Sequence, residues 1–377
     1  MDFELTQRQK NIQWTATEFA KGEFDSNLSI TLDQNRKFPE AIWKKACQLG
    51  FIGVNYPKEL GGLGLGLLEK VLVIEAFCKV DSGIGIALNT VDLGSAIILK
   101  FGSLSQKEQF VAPLAKGQKV LSIAFAESEV GNDFSTISTV AEKVGEEYIL
   151  NGRKRFVFNA LLADAFIVLC KGPKEGWITL IVEKQEGAEI KRVEKMGMRM
   201  IQFGDLEFKG VRVPFGRRVG NEGEGLLQVN HLDEEMGLKN AAQALGISEG
   251  AFERAMKYAK QREAFGKKLS QFQVIRHKLA DIAVGIEVAR WLLYKSATEY
   301  DQGRMKPDFL QMTQLEVGRR LVRMVYEAQQ IFGGAGYMAD MEIEHYYRDG
   351  VLCGVDMGPE EELKDSIAER IVGPEEK

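Results

Sequence analysis

The stretch Ser138–Phe158, "STVAEKVGEEYILNGRKRFVF", decides the fold. Its β-branched and aromatic residues come in short runs broken by glycine, asparagine and charged residues, which is the pattern of antiparallel strands. Asn151-Gly152 predicts a hairpin turn. The runs "DAFIVLCKG" (164–172), "GWITLIVEK" (176–184) and "GDLEFKGVRVP" (204–214) continue the pattern, so residues 118–232 read as a β-domain of antiparallel character.

Both flanks read as helix. In residues 1–117, Thr6 and Gln9 suit a capping box before "NIQWTATEFAKGEF". "LEKVLVIEAFCKV" and "TVDLGSAIILKFG" repeat apolar residues at helical spacing, with the Pro/Gly-rich loop "YPKELGGLGLG" before them. Residues 233–377 return to helix, because no proline falls between Pro214 and Pro307. The stripe Val274, Ile275, Leu279, Ile282, Ile286, Ala289 and Leu292 reads as the core of a helical bundle. The expected fold is therefore α+β: an N-terminal helical domain, a central antiparallel β-domain and a C-terminal bundle.

The chain has 377 residues, 45% of them hydrophobic, enough for two or three domains. A net charge of −5 offers no basic excess to draw it onto nucleic acid or an anionic membrane. No stretch approaches the roughly 20 apolar residues of a membrane span. The N-terminus "MDFELTQRQK" is acidic and polar, unlike a secretory or transit peptide, so the expected setting is cytoplasmic. Cys47, Cys78, Cys170 and Cys353 are scattered, and His231, His277 and His345 have no suitable company for a zinc site or a Ser-His-Asp scheme. Any catalysis here rests on carboxylates or on a cofactor. "GGLGLG" (61–66) lacks the GxGxxG spacing of a dinucleotide fingerprint and reads as a tight bend between helices. "FGGAGY" (332–337) interrupts a helical pattern, and suits either a helix–helix turn or close approach of backbone to something flat or phosphorylated.

Several segments carry a resemblance further. "AFAESEVGNDFSTISTVAEKVGEEYILNGRKRFVFNALLADAFIV", "KMGMRM…LEFKGVRVP", "YAKQREAFGKKLSQFQVIRHKLADI" and "QIFGGAGYMADMEIEHYYRDG" resemble, in the same order, the signatures of the acyl-CoA dehydrogenase superfamily. The likeness runs over nearly the whole chain. It implies FAD bound without a Rossmann domain, in a homo-oligomer, either tetramer or dimer. Ile123, Phe125, Ala126, Gly131 and Asn132 would line the flavin, with Phe156, Val157 and Phe158 flanking the ring. Arg262, Phe265, Gln273, Gln330, Gly333 and Gly334 would hold the adenine half and pyrophosphate of a neighbouring subunit's FAD. Asn132, Glu234 and Gly358 would lie on the substrate side. The partners implied are an acyl-CoA thioester and an electron-transferring flavoprotein.

Such enzymes need a carboxylate to take a weakly acidic C–H proton, beside a polarised thioester carbonyl. In most relatives it is a glutamate before a Gly-Thr pair. Counting from Arg348-Asp349, that position is Met357, followed by Gly358 and Pro359. A minority place the base in the helix after the β-domain, where this chain has Met236 and Gly237, with Glu234 and Glu235 close by. Around the flavin, Ala126, Ser128, Asn132, Phe156 and Phe158 also depart from the usual residues. Asp92 is the first candidate for a displaced base. On a helix it would share a face with Leu88, Ser95 and Ala96, and burial would raise its pKa; an exposed aspartate or one paired with Lys100 is the plainer alternative. Asp356 is the second candidate, with Met357 contributing only its backbone N–H, while Glu360–Glu362 suit the first turn of the last helix. This arrangement resembles that of enzymes for cyclohexane- and cyclohexene-carboxyl-CoA esters, and the resemblance implies an alicyclic acyl-CoA as the expected substrate. A flavin oxygenase and a catalytically silent flavoprotein on the same fold are the rivals.

Overall fold

The computed structural model describes residues 4–128, 134–173 and 176–373. The N-terminal part consists of α1 (Gln7–Glu23), α2 (Ser26–Asn35), α3 (Glu40–Gln48), α4 (Leu67–Val80), α5 (Ser82–Asn89) and α6 (Ser95–Phe101). The short α7 (Leu104–Gln106) and α8 (Ala112–Ala115) follow, joined by a π turn at Lys107–Val111. The capping box forms as expected: the Thr6 hydroxyl accepts from Gln9 N–H, and the Gln9 side chain accepts from Thr6 N–H at 2.9 Å. The glycine loop is a bend between helices. A Cβ at Gly62 would lie 2.3 Å from the Tyr56 carbonyl oxygen, so only glycine lets the two backbones meet. Every residue of α4 from Leu67 to Cys78 is buried, charged ones included.

The β-domain contains β1 (Leu121–Ala124), β2 (Val140–Val144), β3 (Glu147–Val157), β4 (Ala165–Lys171), β5 (Trp177–Glu183), β6 (Glu189–Arg192), β7 (Gly204–Pro214) and β8 (Arg218–Val219). The sheet runs β6-β7-β3-β2-β4-β5-β8, with β1 added parallel to β4. Most of its pairings are antiparallel. The hairpin between β2 and β3 turns at Gly145, not at Asn151-Gly152. Asn151-Gly152 lies inside β3 at a register shift against β7, with Asn151 Oδ1 accepting from Gly210 N–H at 2.7 Å. A Cβ at Gly152 would come within 2.6 Å of Thr139 Cα, so this glycine serves close strand approach at a bulge.

The C-terminal part is α9 (Gly225–Gln261), the small hairpin β9 (Glu263–Ala264) and β10 (Lys267–Lys268), α10 (Gln273–Asp301), α11 (Pro307–Phe332), α12 (Ile343–Val355) and α13 (Glu360–Val372). Helix α9 opens at Gly225, inside the segment read as 118–232, because its first turns dock onto the sheet. A Cβ at Gly225 would meet the Trp177 backbone at 2.7 Å, while Gln228 accepts from the Thr179 hydroxyl and donates to Val219 O at 2.9 Å. Further along, Gly246 and Gly250 let α9 lie directly on α4. In α10, Ile282, Ile286 and Ala289 are buried in the bundle, whereas Val274 faces solvent. Glu360, Glu361 and Glu362 occupy the first turn of α13. The fold is α+β, with the β-domain between two helical parts.

Candidate functional site

The end of β1 and the end of β3 form one face. Lys154 Nζ donates to Phe125 O at 3.0 Å, Arg155 N–H donates to Ala126 O at 2.8 Å, and the Ser122 hydroxyl donates to Phe158 O at 2.5 Å. These bonds gather Ile123, Phe125, Ala126, Phe156, Val157 and Phe158. Gly131 and Asn132 lie outside the described residues. Phe156 is the outlier of the group. It sits at a bulge in β3 with φ +54°, its N–H donates to Asp205 at 3.1 Å, and its ring remains 50% exposed under the Arg155 guanidinium. A phenylalanine held in a left-handed conformation and left in solvent is costly for a monomeric surface, and such strain clusters at ligand sites. Phe158 packs on Phe203 at 4.3 Å, and Phe125 and Val157 are buried behind it.

A second group gathers at one end of the bundle. Arg262 ends α9, Phe265 sits in the β9–β10 hairpin with φ +51°, and Gln273 opens α10. Gln330 and the Gly333–Gly334 turn close α11, tied to α9 by Tyr258 stacked on Phe332 at 4.3 Å. Phe265 is 96% exposed, and Arg262 has no side-chain partner among the described residues. Space beside Gly333 and Gly334 is open. A free guanidinium, open glycine backbone and an exposed ring are donors for a diphosphate and a platform for a base. No hydrogen bond, ion pair or ring contact among the described residues joins this end to the β1–β3 face within one chain.

The acidic candidates fall in two places. Asp92 does not lie on a helix. Helix α5 stops at Asn89, α6 starts at Ser95, and Asp92 makes an isolated bridge to Leu121 in the break, with Gly94 at φ +87°. It is 1% exposed and partners neither solvent nor Lys100. Lys239 Nζ lies 3.2 Å from one carboxylate oxygen and Lys70 Nζ 3.3 Å from the other, which also accepts from the Tyr56 hydroxyl at 3.0 Å. Burial pushes its pKa upward, but the two ammonium groups outweigh that and hold it below the ordinary value. Glu235, 3.1 Å from Lys239, completes a buried set of two acids and two lysines. Glu234, half-buried, sits beside it on α9. Sequence reading missed the lysines. The signal was Lys70 inside the apolar run of α4, since a buried ammonium requires an acid.

The second place is the turn after α12. Met357 is 2% exposed and packs on α11, 3.1 Å from where a Cβ on Gly318 would lie. It lines an open cavity of about 460 Å³ with Gly318, Val322, Gly354, Gly358 and Leu363. Asp356 is not in that wall. It borders α9, where Asn240 Nδ2 donates to its carbonyl at 3.2 Å, and Cys353 beside it donates to Asn240 O. The Asp356 carboxylate has no partner among the described residues, and burial pushes it up to about 7.

Comparison with known families matches the acyl-CoA dehydrogenase N-terminal domain over residues 6–118, the middle domain over 122–211 and the C-terminal domain over 223–372. The chain belongs to the acyl-CoA dehydrogenase family. It is similar to the short-chain-specific acyl-CoA dehydrogenase of Clostridium acetobutylicum, at 34% identity over 98% of this chain and 100% of the relative. It is also similar to the 3-(aryl)acrylate reductase of Clostridium sporogenes, at 33% identity over 98% and 99%. Among solved structures, it superposes with a TM-score of 0.95 and 33% identity, covering 99% of this chain and 100% of the other, on a chain of the structure described as the electron transferring flavoprotein of Acidaminococcus fermentans. Acyl-CoA dehydrogenases are FAD-dependent oxidoreductases. The residues present fit that cofactor: an exposed aromatic platform at the β1–β3 face suits a flavin ring, and the free Arg262 with open glycine backbone suits the diphosphate. Among the described residues, no helix is long and apolar enough to cross a membrane and no acid, histidine or cysteine cluster could hold a metal.

Proposed function

We propose that this acyl-CoA dehydrogenase acts on an alicyclic acyl-CoA thioester of the cyclohexane- or cyclohexene-carboxyl type, with the proton-accepting carboxylate displaced from position 357. The observation that carries the reading is Met357, which stands where the family's usual glutamate is expected and turns onto α11. In a ring conjugated to a thioester the acidic C–H can lie away from the α-carbon, so a base elsewhere is chemically suited to it. Phe156 and Phe158 offer such a ring an apolar wall. Similarity to a reductase named for aryl-bearing substrates supports a cyclic acyl group. When bound, FAD supplies the hydride acceptor.

The residues of the chain supply the rest. The backbone N–H at Met357 is suited to polarise the thioester carbonyl, while that of Gly358 is taken by Val355 O at 3.1 Å. Asp92 and Asp356 are the candidate bases, and their surroundings separate them. Asp92 is held ionised and occupied by two lysines and a tyrosine, which lowers its appetite for a proton. Asp356 has no competing partner among the described residues and is raised to about 7, where a general base is most effective, so we assign the proton transfer to it. We assign Asp92 the role of holding α9 in register, with proton acceptance as the alternative for it. Electrons leave through an electron-transferring flavoprotein, a reading supported by the likeness to the Acidaminococcus structure. A homo-oligomer, tetramer or dimer, is supported by Phe265 and by the exposed Val274, Val284 and Trp291 along α10, since an isolated chain leaves these in water.

The test is anaerobic mixing of the FAD-loaded enzyme with straight-chain, branched and alicyclic acyl-CoAs while flavin bleaching is followed. Bleaching by the alicyclic esters is expected, and its absence with every ester sinks the dehydrogenase reading. Asp356→Asn should abolish bleaching and Asp92→Asn should retain part of it. The reverse pattern transfers the base to Asp92.

A further inference from the structure

Lys154 lies in the middle of β3 and is fully buried. A buried ammonium is tolerated only with an acid and further acceptors around it. Glu127 supplies the acid. Its Oε1 takes Lys154 Nζ at 2.8 Å, Thr139 N–H at 3.1 Å and the Thr139 hydroxyl at 2.6 Å. Its Oε2 takes Ser138 N–H at 2.8 Å and the Ser138 hydroxyl at 2.6 Å. Burial alone would raise this carboxyl, but Lys154, Ser138 and Thr139 hold it at about 2. The remaining reach of Lys154 goes to the Phe125 carbonyl at 3.0 Å, and the next residue, Arg155, fixes the Ala126 carbonyl at 2.8 Å.

A buried ion pair is a poor way to gain stability, because two apolar side chains of the same volume commonly do as well. What this pair does that apolar residues cannot is to orient a specific backbone. Leaving β1, the chain at Phe125, Ala126 and Glu127 has no strand partner among the described residues and is held by β3 through these three attachments. Two residues after Lys154, β3 reaches the bulge that presents Phe156. The Lys154 side chain therefore joins both halves of the β1–β3 face, beside the Arg155–Ala126 and Ser122–Phe158 bonds.

We propose that Glu127 and Lys154 are positioning residues for the flavin: the pair fixes the Phe125–Ala126 backbone against the Phe156–Phe158 end of β3, so that the face matches the ring. The inference rests on the reading that this face receives the flavin. Neither residue needs to touch the cofactor, and both are shut away from solvent.

The test compares FAD dissociation constants, visible circular dichroism of the bound flavin and thermal midpoints for four variants. The double variant Glu127→Gln/Lys154→Met removes both charges at nearly constant volume, so it avoids the penalty of one stranded buried charge. It should bind FAD at least tenfold more weakly and alter the flavin dichroism, with a thermal midpoint close to that of the parent. Glu127→Asp keeps the charge and shortens its reach; it should weaken FAD about threefold, and it carries the test should the double variant not fold. Arg254→Gln, which breaks the pair from α9 to Glu342 at the start of α12, should lower the midpoint and leave FAD affinity within twofold. Phe156→Ala should weaken FAD by itself. If Phe156→Ala weakens FAD while Glu127→Asp and the double variant bind it as the parent does, the positioning role is overturned and the face stands. If Phe156→Ala binds FAD unchanged as well, the face itself is misassigned and the inference falls with it.

Discussion

At the scale of the residue, Met357 and Asp356 show how one step along the chain changes chemistry. In the proposed reading, counting from Arg348-Asp349 points to position 357, because signature spacing survives changes of side chain. Which way each side chain turns was not legible, since a turn between helices has no periodicity to read. Met357→Glu tests the arrangement directly. A carboxylate placed among Gly318, Val322 and Leu363 should cost about 1–3 kcal/mol of stability, and it should create no bleaching with butyryl-CoA. New activity with that ester would show that position 357 faces the substrate after all. Asp356 offers the converse. Its folded pKa of about 7 lies above the value of 3.8 for a free aspartate, so ionising it costs stability as pH rises between those values. Asp356→Asn should therefore raise the thermal midpoint at pH 8, change it little at pH 4, and remove activity at both. In the parent enzyme, kcat/KM should rise with pH through a limb near 7.

At the scale of the element, helices with strong local signals were readable and irregular junctions were not. The capping box at Thr6 and the acid-rich start of α13 are local chemistry, so sequence suffices for them. Asn151-Gly152 misled because the same dipeptide serves a turn or a bulge, and only the neighbouring strand β7 decides which. The break at Asp92 could have been seen in Gly94, which ends helical periodicity in a left-handed conformation. The two glycines of this region of β2 and β3 should respond differently to alanine. Gly145→Ala meets open space at φ +61° and should cost about 1 kcal/mol. Gly152→Ala would drive Cβ into Thr139 and should cost more, about 2–3 kcal/mol, read as a lower urea midpoint.

At the scale of the whole molecule, buried charge joins parts that are distant in sequence. Asp92 is held by Lys70 from α4 and Lys239 from α9. Asp92→Asn leaves two buried ammonium groups facing one remaining acid and should destabilise the protein by about 3–5 kcal/mol. Acid should act on the Glu127–Lys154 pair in a separate window. The folded carboxyl titrates at about 2 against 4.5 for a free glutamate, so its contribution is complete above pH 4.5 and is lost as pH falls towards 2. None of these long-range pairs could be read from local pattern, because each partner is chosen by topology.

The burial of α4 has a consequence for how the protein is made. Its walls include α9 and α10, and Gly246 and Gly250 press α9 onto it backbone to backbone. On the ribosome, however, Leu67–Val80 emerges well before residue 246 exists, and at about 5–20 residues per second the wait is on the order of ten seconds or more. Through that interval α4, with Lys70 and Glu75 among its apolar residues, has α1 and α5 to pack on but lacks the walls that α9 and α10 supply. The nascent chain therefore depends on being shielded until its last third arrives, and a fragment stopped at residue 118 should be recovered as aggregate while the full chain is recovered folded.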